Sequence, residues 1–421
     1  MMIKNKSILF ISDSCPPDLT MSGIVVKNIV DYLITDNSID IIALRQGDED
    51  VASYEGIPID YVKSFPYYIL NNSKKKKEAR NTAVRIWFAL VVGVYRLFSI
   101  LSRFMSPIGI NGQIVKGIRK QTKKKLAKKE YDYVVCNAKP FESFEAIITL
   151  IPKNSKTKFI AYQTDDFVSA GDERYIPTFF VKKKLKKRTK RINEYVSAFD
   201  TYGMLESVYE KEIGSIINAG KVKKMGIPLL YDRRCQNTKP SSEGLIKFVY
   251  TGSLVKSFRP PDDCLKVMAE VAMRKRISVY FYHRGDCNDI LDLYEKKTTG
   301  VIQNKGTVCA EDAYKAMNEA DVLISISNVA GDQISGKTFD YISTGKPLIH
   351  FYYNENDRNA KLLKQYKRAL CIQIGKDVQS SSREIEEYIE ASAITPLSFD
   401  DVIRTFFYYT AESVVRVLFE G

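Results

Sequence analysis

The chain has 421 residues, enough for two domains that each bury a core, and its 45% hydrophobic content is ordinary for a globular protein. The formal net charge is +14. The seven cysteines form no CxxC pair and there are two histidines, which argues against a Cys/His metal site and fits a reducing compartment. No apolar run is long enough for a signal peptide or a transmembrane helix, so we expect a cytoplasmic protein.

The chain opens with a strand, a glycine-containing loop and a helix. The strand is predicted over Ser7 to Ser12, the loop ends at Gly23, and the helix covers Ile24 to Leu33. Further strands are predicted at Ile39 to Leu44 and Ile57 to Val62. This is a Rossmann-like start, but it lacks the G-x-G-x-x-G fingerprint, which argues against an NAD enzyme.

Positive charge is concentrated in two segments of the N-terminal half. Residues 70–130 hold 16 Lys/Arg and two acids, and residues 182–191 hold eight Lys/Arg and no acid. Inside the first segment, Ile86 to Met105 predicts a helix with a broad apolar face and a narrow stripe that contains Arg85, Arg96, Ser99 and Arg103. Such a helix either lies on a membrane or packs in the core. The basic flanks favour an anionic membrane surface over nucleic acid, because no nucleic-acid-binding motif is present.

The first domain continues with two more strands and ends in a linker. Strands are predicted at Tyr133 to Cys136 and Lys158 to Tyr162. Asp165 and Asp166 follow the second strand, where they could orient an acceptor hydroxyl or cap a helix. The polar segment 231–244 is the predicted interdomain linker.

A second sheet begins at Ile246 to Tyr250 and continues with a strand at Ile277 to Tyr282. The first of these strands runs into Thr251-Gly252-Ser253. Arg259 lies just before the next helix and is the candidate for a cation that grips a diphosphate, with Lys256 as the rival.

The most informative stretch runs from Asp321 to Tyr353. It predicts a strand at Val322 to Ile326, a polar loop, a short helix at Lys337 to Ser343, and a strand at Leu348 to Tyr352. Gly345 is placed where a helix C-terminal glycine is expected.

The loop before this short helix has the groups that a nucleotide-sugar needs. A helix N-terminus offers free amide groups and a positive dipole end, Ser335 and Gly336 permit close approach, and Lys337 adds a positive charge. Asp332 and Asp340 could accept hydrogen bonds from neighbouring hydroxyl groups, as on a ribose. The alternative is a surface loop with two solvated aspartates.

This stretch resembles the donor-site motif of retaining GT-B glycosyltransferases, of the family 4 or group 1 type. The motif has two acidic residues eight positions apart and a later Gly-x-Pro, which Asp332, Asp340 and Thr344-Gly345-Lys346-Pro347 match. Both acids are Asp where the family has Glu, and Ser253 replaces a frequent Arg. The resemblance covers residues 246–353 well and residues 7–420 loosely.

The resemblance implies an α/β fold with two Rossmann-like domains facing a cleft. The acceptor-side domain would span residues 1–228, with a membrane-facing segment at about 70–130, and the donor domain would span 245–398. The third segment, residues 399–421, would contain the final helix, predicted over Phe399 to Phe419. This helix would pack back on the first domain. The implied catalytic residues are Asp332, Arg259 and Lys337. The implied donor-binding residues are Gly252, Ser253, Ser335, Gly336, Thr338 and Asp340, and those on the acceptor side are Gly23, Asp165 and Asp166.

The implied activity is hexosyl transfer, with retention, from a nucleotide-sugar to a lipid-linked or saccharide acceptor, as in bacterial surface polysaccharide or glycolipid assembly. The enzyme would lie peripherally on the inner face of the cytoplasmic membrane and need no cofactor or metal. Asp48-Glu49-Asp50 has the D-x-D pattern of metal-dependent transferases, but its polar surroundings favour a plain loop. Two alternatives remain: a nucleotide-sugar 2-epimerase of the same fold, and a non-catalytic protein that binds membrane or nucleic acid.

Overall fold

The computed structural model describes residues 3–16, 21–44, 51–62, 82–138, 141–168, 178–232, 234, 244–331, 334–391 and 396–420. The chain divides into two compact units. The first contains Met1–Pro228 and Tyr408–Gly421, and the second contains Leu229–Phe407. Strands alternate with helices in both units, which confirms the predicted α/β class.

The first unit is built on an eight-stranded sheet with the order β3-β4-β2-β1-β5-β6-β7-β8. Its strands are parallel except for β3, which pairs antiparallel with β4. The order reverses between β1 and β5, so the loops after these two strands are neighbours. The strands are β1 Ser7–Ile11, β2 Ser38–Leu44, β3 Ser53–Tyr54, β4 Ile57–Val62, β5 Tyr133–Asn137, β6 Lys158–Gln163, β7 Thr201–Leu205 and β8 Val222–Met225.

Helices of this unit are α1 Met21–Leu33, α2 Thr82–Met105, α3 Gly112–Leu126, α4 Glu142–Ile147, α5 Thr178–Ala198 and α6 Glu206–Glu212. One face of the sheet is covered by α3, α4 and α5, because Ile118, Phe144 and Ile192 share a buried cluster with Leu9 and Val134 of the strands. These apolar side chains recur at strand and helix periods, which is what makes each element amphipathic.

The second unit is built on a six-stranded, all-parallel sheet with the order β11-β10-β9-β12-β13-β14. Its strands are β9 Ile246–Leu254, β10 Ile277–Gly285, β11 Ile302–Gly306, β12 Val322–Ile326, β13 Leu348–Tyr352 and β14 Ala369–Gln373. Its helices are α7 Asp262–Ala272, α8 Asn288–Lys297, α9 Ala310–Glu319, α10 Gly336–Ser343, α11 Arg358–Leu363, α12 Val378–Ala391 and α13 Phe399–Phe406.

The chain ends in α14, Ala411–Glu420, which packs against α1, β7 and β8 of the first unit. A Cβ on Gly203 of β7 would lie 2.6 Å from Cδ2 of Leu418, so the absence of a side chain at 203 permits this contact. The predicted return of the C-terminal helix to the first domain is therefore confirmed.

The prediction of one continuous final helix is wrong. A 3-10 turn, Phe407–Tyr409, separates α13 from α14. Thr410 then begins the new helix, because its hydroxyl accepts a hydrogen bond from the Ser413 amide at 3.2 Å. The carbonyl of Tyr408 lies so close to Gly226 that a Cβ there would be 2.3 Å from it. These contacts hold the break at the point where the chain re-enters the first unit.

Candidate functional site

The candidate site of the second unit lies at the carboxyl ends of β9 and β12, where the strand order reverses. Loops after strands on either side of such a reversal leave a crevice in which ligands of open parallel sheets bind. In this unit the described parts of the two loops are residues 255–261, after β9, and residues 327–331 and 334–335, after β12. Every donor-binding residue predicted from the sequence, among those that the structure describes, lies on these loops, on β9, or in the first turns of α10.

Arg259 joins the two loops. Its Nε donates to Oδ1 of Asn328 at 2.9 Å, and its Nη1 donates to the carbonyl of Ser253 at 3.2 Å. The amide of Val329 also donates to the carbonyl of Phe258 at 2.8 Å. A guanidinium group has five N–H donors in a fixed plane, so these two bonds orient it and leave donors for a ligand.

Lys256, the rival cation, has a different position. Its ammonium group forms an exposed ion pair with Asp289 of α8 at 2.6 Å, and its amide donates to Asp286. It is therefore directed to the β10–α8 connection, whereas Arg259 bridges the loops of the strand-order reversal. The geometry favours Arg259.

The short helix predicted from the sequence is α10. It begins at Gly336, one residue earlier than predicted. Ser335 is its N-cap residue with extended backbone angles, but its hydroxyl makes no capping hydrogen bond. Within the described part of the chain, the amides of Gly336 and Lys337 have no hydrogen-bond acceptor. The first amides of a helix lack partners inside the helix, and together with its dipole they favour an anion.

Lys337 and Asp340 are brought together on this helix. The Lys337 ammonium lies 3.1 Å from Oδ2 of Asp340 and 5.1 Å from the ring centre of Tyr314. Thr338, between them, is fully buried, and Asp340 is 9% exposed. A paired cation and a largely buried carboxylate therefore lie side by side in the first two turns of α10.

Gly252 and Ser253 lie near the end of β9, opposite His283 and Arg284 of β10. The Ser253 carbonyl accepts from Arg259, and its hydroxyl accepts from Nε of Arg284 at 3.0 Å. Sequence reasoning missed Arg284, because only the strand register shows that it lies beside Ser253. An exposed guanidinium group is thus present next to the position where the resemblance leads one to expect an arginine.

A buried polar network supports the loop after β12. His350 of β13 lies between two hydroxyl groups: Ser325 Oγ is 3.0 Å from its Nδ1 and Ser327 Oγ is 3.2 Å from its Nε2. Asp357 lies 3.5 Å from Nε2 and also caps α11 by accepting from the Ala360 amide at 2.7 Å. Burial by itself would raise the pKa of Asp357, but hydrogen bonds from His350, Ser327 and the Ala360 amide outweigh it and lower that pKa.

The acceptor-side candidates lie on the first unit. Gly23 is buried in the first turn of α1, after β1. Asp165 and Asp166 follow β6, which is separated from β1 by β5. Asp165 is exposed, and Asp166 forms an ion pair with Lys211 at 3.1 Å.

Sequence reasoning did not single out a polar row at the same edge of this sheet. Asn137, at the end of β5, donates to Ser12 Oγ at 3.5 Å and accepts from Thr164 Oγ1 at 3.0 Å. These residues follow or end three neighbouring strands, β1, β5 and β6. The sequence could have indicated this row, because each of the three apolar strands ends in, or is followed by, a polar residue.

Two predicted acidic sites lie outside the described residues: Asp332, and the Asp48-Glu49-Asp50 triplet. In the ranges that the structure covers, no group of three His, Cys, Asp or Glu side chains could hold a metal ion.

The apolar helix α2 exposes one face. Ile86, Trp87, Leu90, Val94 and Leu97 are each more than half exposed. Their exposure shows that this face is not part of the core of the first unit. None of the helices in the described ranges is long and apolar enough to cross a membrane. The side chains of Arg96, Ser99 and Arg103 lie outside the described residues, as do Lys74 to Lys77.

The basic segments are only partly solvated. In α5, Lys184 and Arg188 are buried, and Arg191 pairs with Glu145 and Glu194. In α3, Lys125 pairs with Asp40 and Asp60. The exposed lysines nevertheless line one face of each helix. They are Lys116, Lys120, Lys123 and Lys124 on α3, and Lys182, Lys183, Lys186, Lys187 and Lys190 on α5.

Comparison with known proteins supports the fold. Neither a protein-family model nor a characterised protein matches the chain by sequence. Among solved structures, the lipopolysaccharide outer core galactosyltransferase WaaB, in its apo form, is 11% identical, with a TM-score of 0.54 and coverage of 98% of this chain and 99% of that chain. TarM of S. aureus, as a G117R mutant in complex with UDP, is 10% identical, with a TM-score of 0.52 and 98% coverage of each chain.

A putative UDP-N-acetylglucosamine 2-epimerase from Listeria monocytogenes is 8% identical, with a TM-score of 0.53 and coverage of 99% of this chain and 97% of that chain. These structures share with this chain two parallel-sheet domains of the GT-B type, which confirms the fold predicted from the resemblance. At such low identity the likeness concerns the fold alone.

Asp357 gives a prediction for acid conditions. Its carboxylate is stabilised in the folded state, so its contribution to stability is complete above the ordinary carboxyl pKa and is lost as pH falls through the lowered pKa. The Asp357→Asn variant should therefore have a lower melting temperature than wild type at pH 7, and the difference should shrink as pH falls to about 3. Thermal unfolding followed by circular dichroism checks this. A difference that stays constant or grows in acid would contradict the lowered pKa.

Proposed function

We propose that the protein is a glycosyltransferase that moves a sugar from a nucleoside-diphosphate donor to a saccharide or lipid-linked acceptor. The observation that carries this proposal is the first turn of α10 at the strand-order reversal. It combines the amides of Gly336 and Lys337, which have no acceptor among the described residues, with the Lys337 ammonium and, one turn on, the Asp340 carboxylate. Arg259 adds a positive charge from the loop after β9. This set suits a diphosphate followed by a ribose.

The same groups stabilise the diphosphate as it leaves the sugar. When the bond between the sugar and the diphosphate breaks, negative charge develops on the phosphate oxygen. Arg259, Lys337 and the α10 amides stabilise that charge. In the retaining reaction the acceptor oxygen bonds to the same sugar carbon, and the acceptor proton passes to the departing diphosphate. Asp340 holds the ribose, Gly252 permits close approach at the end of β9, and Asp332 contacts the sugar.

UDP is the first nucleotide to test, since one of the structures with this fold was determined with UDP. Asp340→Ala should weaken UDP binding by about ten- to a hundredfold, because a charged hydrogen-bond acceptor is worth about 1.5–3 kcal/mol. Asp340 also pairs with Lys337, so the control is a variant that breaks a comparable pair elsewhere in the unit, Asp289→Ala, which frees Lys256. Isothermal titration calorimetry gives both affinities. Wild-type affinity in Asp340→Ala would contradict the assignment.

We propose that transfer requires no divalent metal, because cationic side chains and helix amides take the place of a metal at the diphosphate. Turnover of a UDP-sugar should be the same in EDTA and in Mg²⁺ or Mn²⁺. Loss of turnover in EDTA that either ion restores would instead favour a role for Asp48-Glu49-Asp50.

A 2-epimerase is the second candidate, because a structure of that name has the same two-domain fold. It would change the configuration of UDP-N-acetylglucosamine without an acceptor. Release of UDP that depends on an added acceptor supports the transferase. Epimerisation of the sugar in the absence of an acceptor supports the epimerase.

We further propose that the first unit binds an anionic membrane surface and so takes a lipid-linked acceptor. Helix α2 exposes an apolar face, and α3 and α5 expose four and five lysines respectively. Helices α3 and α5 cover the same face of the sheet, and α2 leads into α3 through a segment whose Ile108 carbonyl accepts from Arg188 of α5. Apolar and cationic groups in one layer match the acyl and headgroup regions of an anionic bilayer.

Liposome sedimentation tests this surface. Binding should rise with the fraction of anionic lipid and fall in high salt, since each lysine near the surface contributes about 1 kcal/mol and the attraction fades within about 8 Å.

Replacing Lys183, Lys186, Lys187 and Lys190 by Gln should reduce binding. The same charge change in the second unit, at Lys361, Lys364, Lys367 and Lys376, should not. Trp87→Ser with Leu90→Ser should remove the salt-resistant part. A protein that ignores anionic vesicles would contradict the proposal.

A further inference from the structure

The first turn of α10 is capped by another helix. An N-cap side chain usually accepts a hydrogen bond from an amide two or three residues later. Here the Ser335 hydroxyl does not. Instead, Oδ1 of Asn359, on α11, accepts from the Ser335 amide at 2.8 Å and from the Thr338 hydroxyl at 2.8 Å. One oxygen atom therefore holds both ends of the turn.

This arrangement leaves the central amides of the turn available. The Thr338 amide donates to the Ser335 carbonyl at 3.0 Å, so it is satisfied inside the turn. The amides of Gly336 and Lys337 have no acceptor within the described ranges. A conventional cap by Ser335 would consume an amide of this first turn. The cap from Asn359 fixes the turn without doing so.

The side chain of Asn359 is itself held by a buried hydrogen-bond network. It is 3% exposed, and its Nδ2 donates to Ser327 Oγ at 3.4 Å. That hydroxyl is held by His350 at 3.2 Å. Asp357 caps α11, the helix that carries Asn359. Because the Ser335 amide can only donate, the amide oxygen of Asn359 faces α10 and its nitrogen faces Ser327.

We propose that Asn359 is a positioning residue of the donor site, which holds the first turn of α10 ready for a diphosphate and leaves to it the Gly336 and Lys337 amides, which have no acceptor in the described ranges. This inference rests on the proposed function. It assigns to Asn359 no contact with the nucleotide. Its effect reaches the ligand through the backbone of the turn, so it should act on the phosphates and not on the nucleoside.

The test compares UDP with uridine. Binding of both is measured by ligand-observed NMR titration for wild type, Asn359→Ala and Asn359→Asp. In Asn359→Ala the affinity for UDP should fall about tenfold and that for uridine should not change. Asn359→Asp keeps the acceptor oxygen for the turn but loses the Nδ2 donor to Ser327 and buries a charge, so its melting temperature should fall. Its added negative charge beside the turn should still lower the ratio of UDP to uridine affinity, and less so in high salt.

Asp377→Ala is the matched control for a loss of stability. Asp377 accepts from the Ser380 amide at 2.8 Å and so caps α12, which packs against α7 and β14. This variant should lower the melting temperature without changing the ratio of UDP to uridine affinity. An unchanged ratio in Asn359→Ala would overturn the positioning role alone. If wild type binds none of UDP, GDP, ADP and CDP, the proposed function fails, and this inference fails with it.

Discussion

The hydroxyl group of Tyr341 fixes α10 to the six-stranded sheet, and the candidate donor site depends on that attachment. This one oxygen donates to the carbonyl of Thr251 at 2.8 Å and accepts from the amide of the same residue at 2.8 Å. Both bonds are buried, where an unmade hydrogen bond costs about 1–3 kcal/mol. They fix the distance between the carboxyl end of β9 and the helix whose N-terminus would bind a phosphate.

The charges of the second unit are arranged around this attachment. Arg259 is held across the two loops by Asn328 and the Ser253 carbonyl, and Arg284 is held on the Ser253 hydroxyl. Lys337 is held by Asp340. Each cation is thus oriented by a neutral acceptor or a single carboxylate, so a diphosphate would find positive groups that need little rearrangement. Preorganisation of this kind is the main way in which proteins stabilise developing negative charge.

The sequence predicted the local part of this site because its signals are local. The apolar run of β12 and the strand at Leu348 to Tyr352 lie where they were predicted, and α10 begins one residue earlier. Gly345 has the positive φ of a helix C-terminal residue, +73°, and a Cβ there would lie 2.2 Å from the Leu397 carbonyl. Arg284 and Asn359 could not be predicted, because their contacts depend on strand register and on the packing of α11 against α10.

The basic segments show the same limit of sequence-based prediction. Composition indicates a positive surface, but it does not distinguish Lys183, which is exposed, from Lys184, which is buried beside it. The helical period decides this, and only for a helix whose buried face is known. The same holds for α2, whose apolar face is compatible with a core or a membrane until its exposure is seen.

The most direct test of the central claim is a crystal structure of the protein with UDP. The account predicts that oxygen atoms of the diphosphate lie about 3 Å from the amides of Gly336 and Lys337. It also predicts that the guanidinium group of Arg259 lies on the same diphosphate and that the ribose hydroxyls lie on Asp340. A diphosphate bound elsewhere on the chain, with the first turn of α10 making no contact with it, would contradict the account.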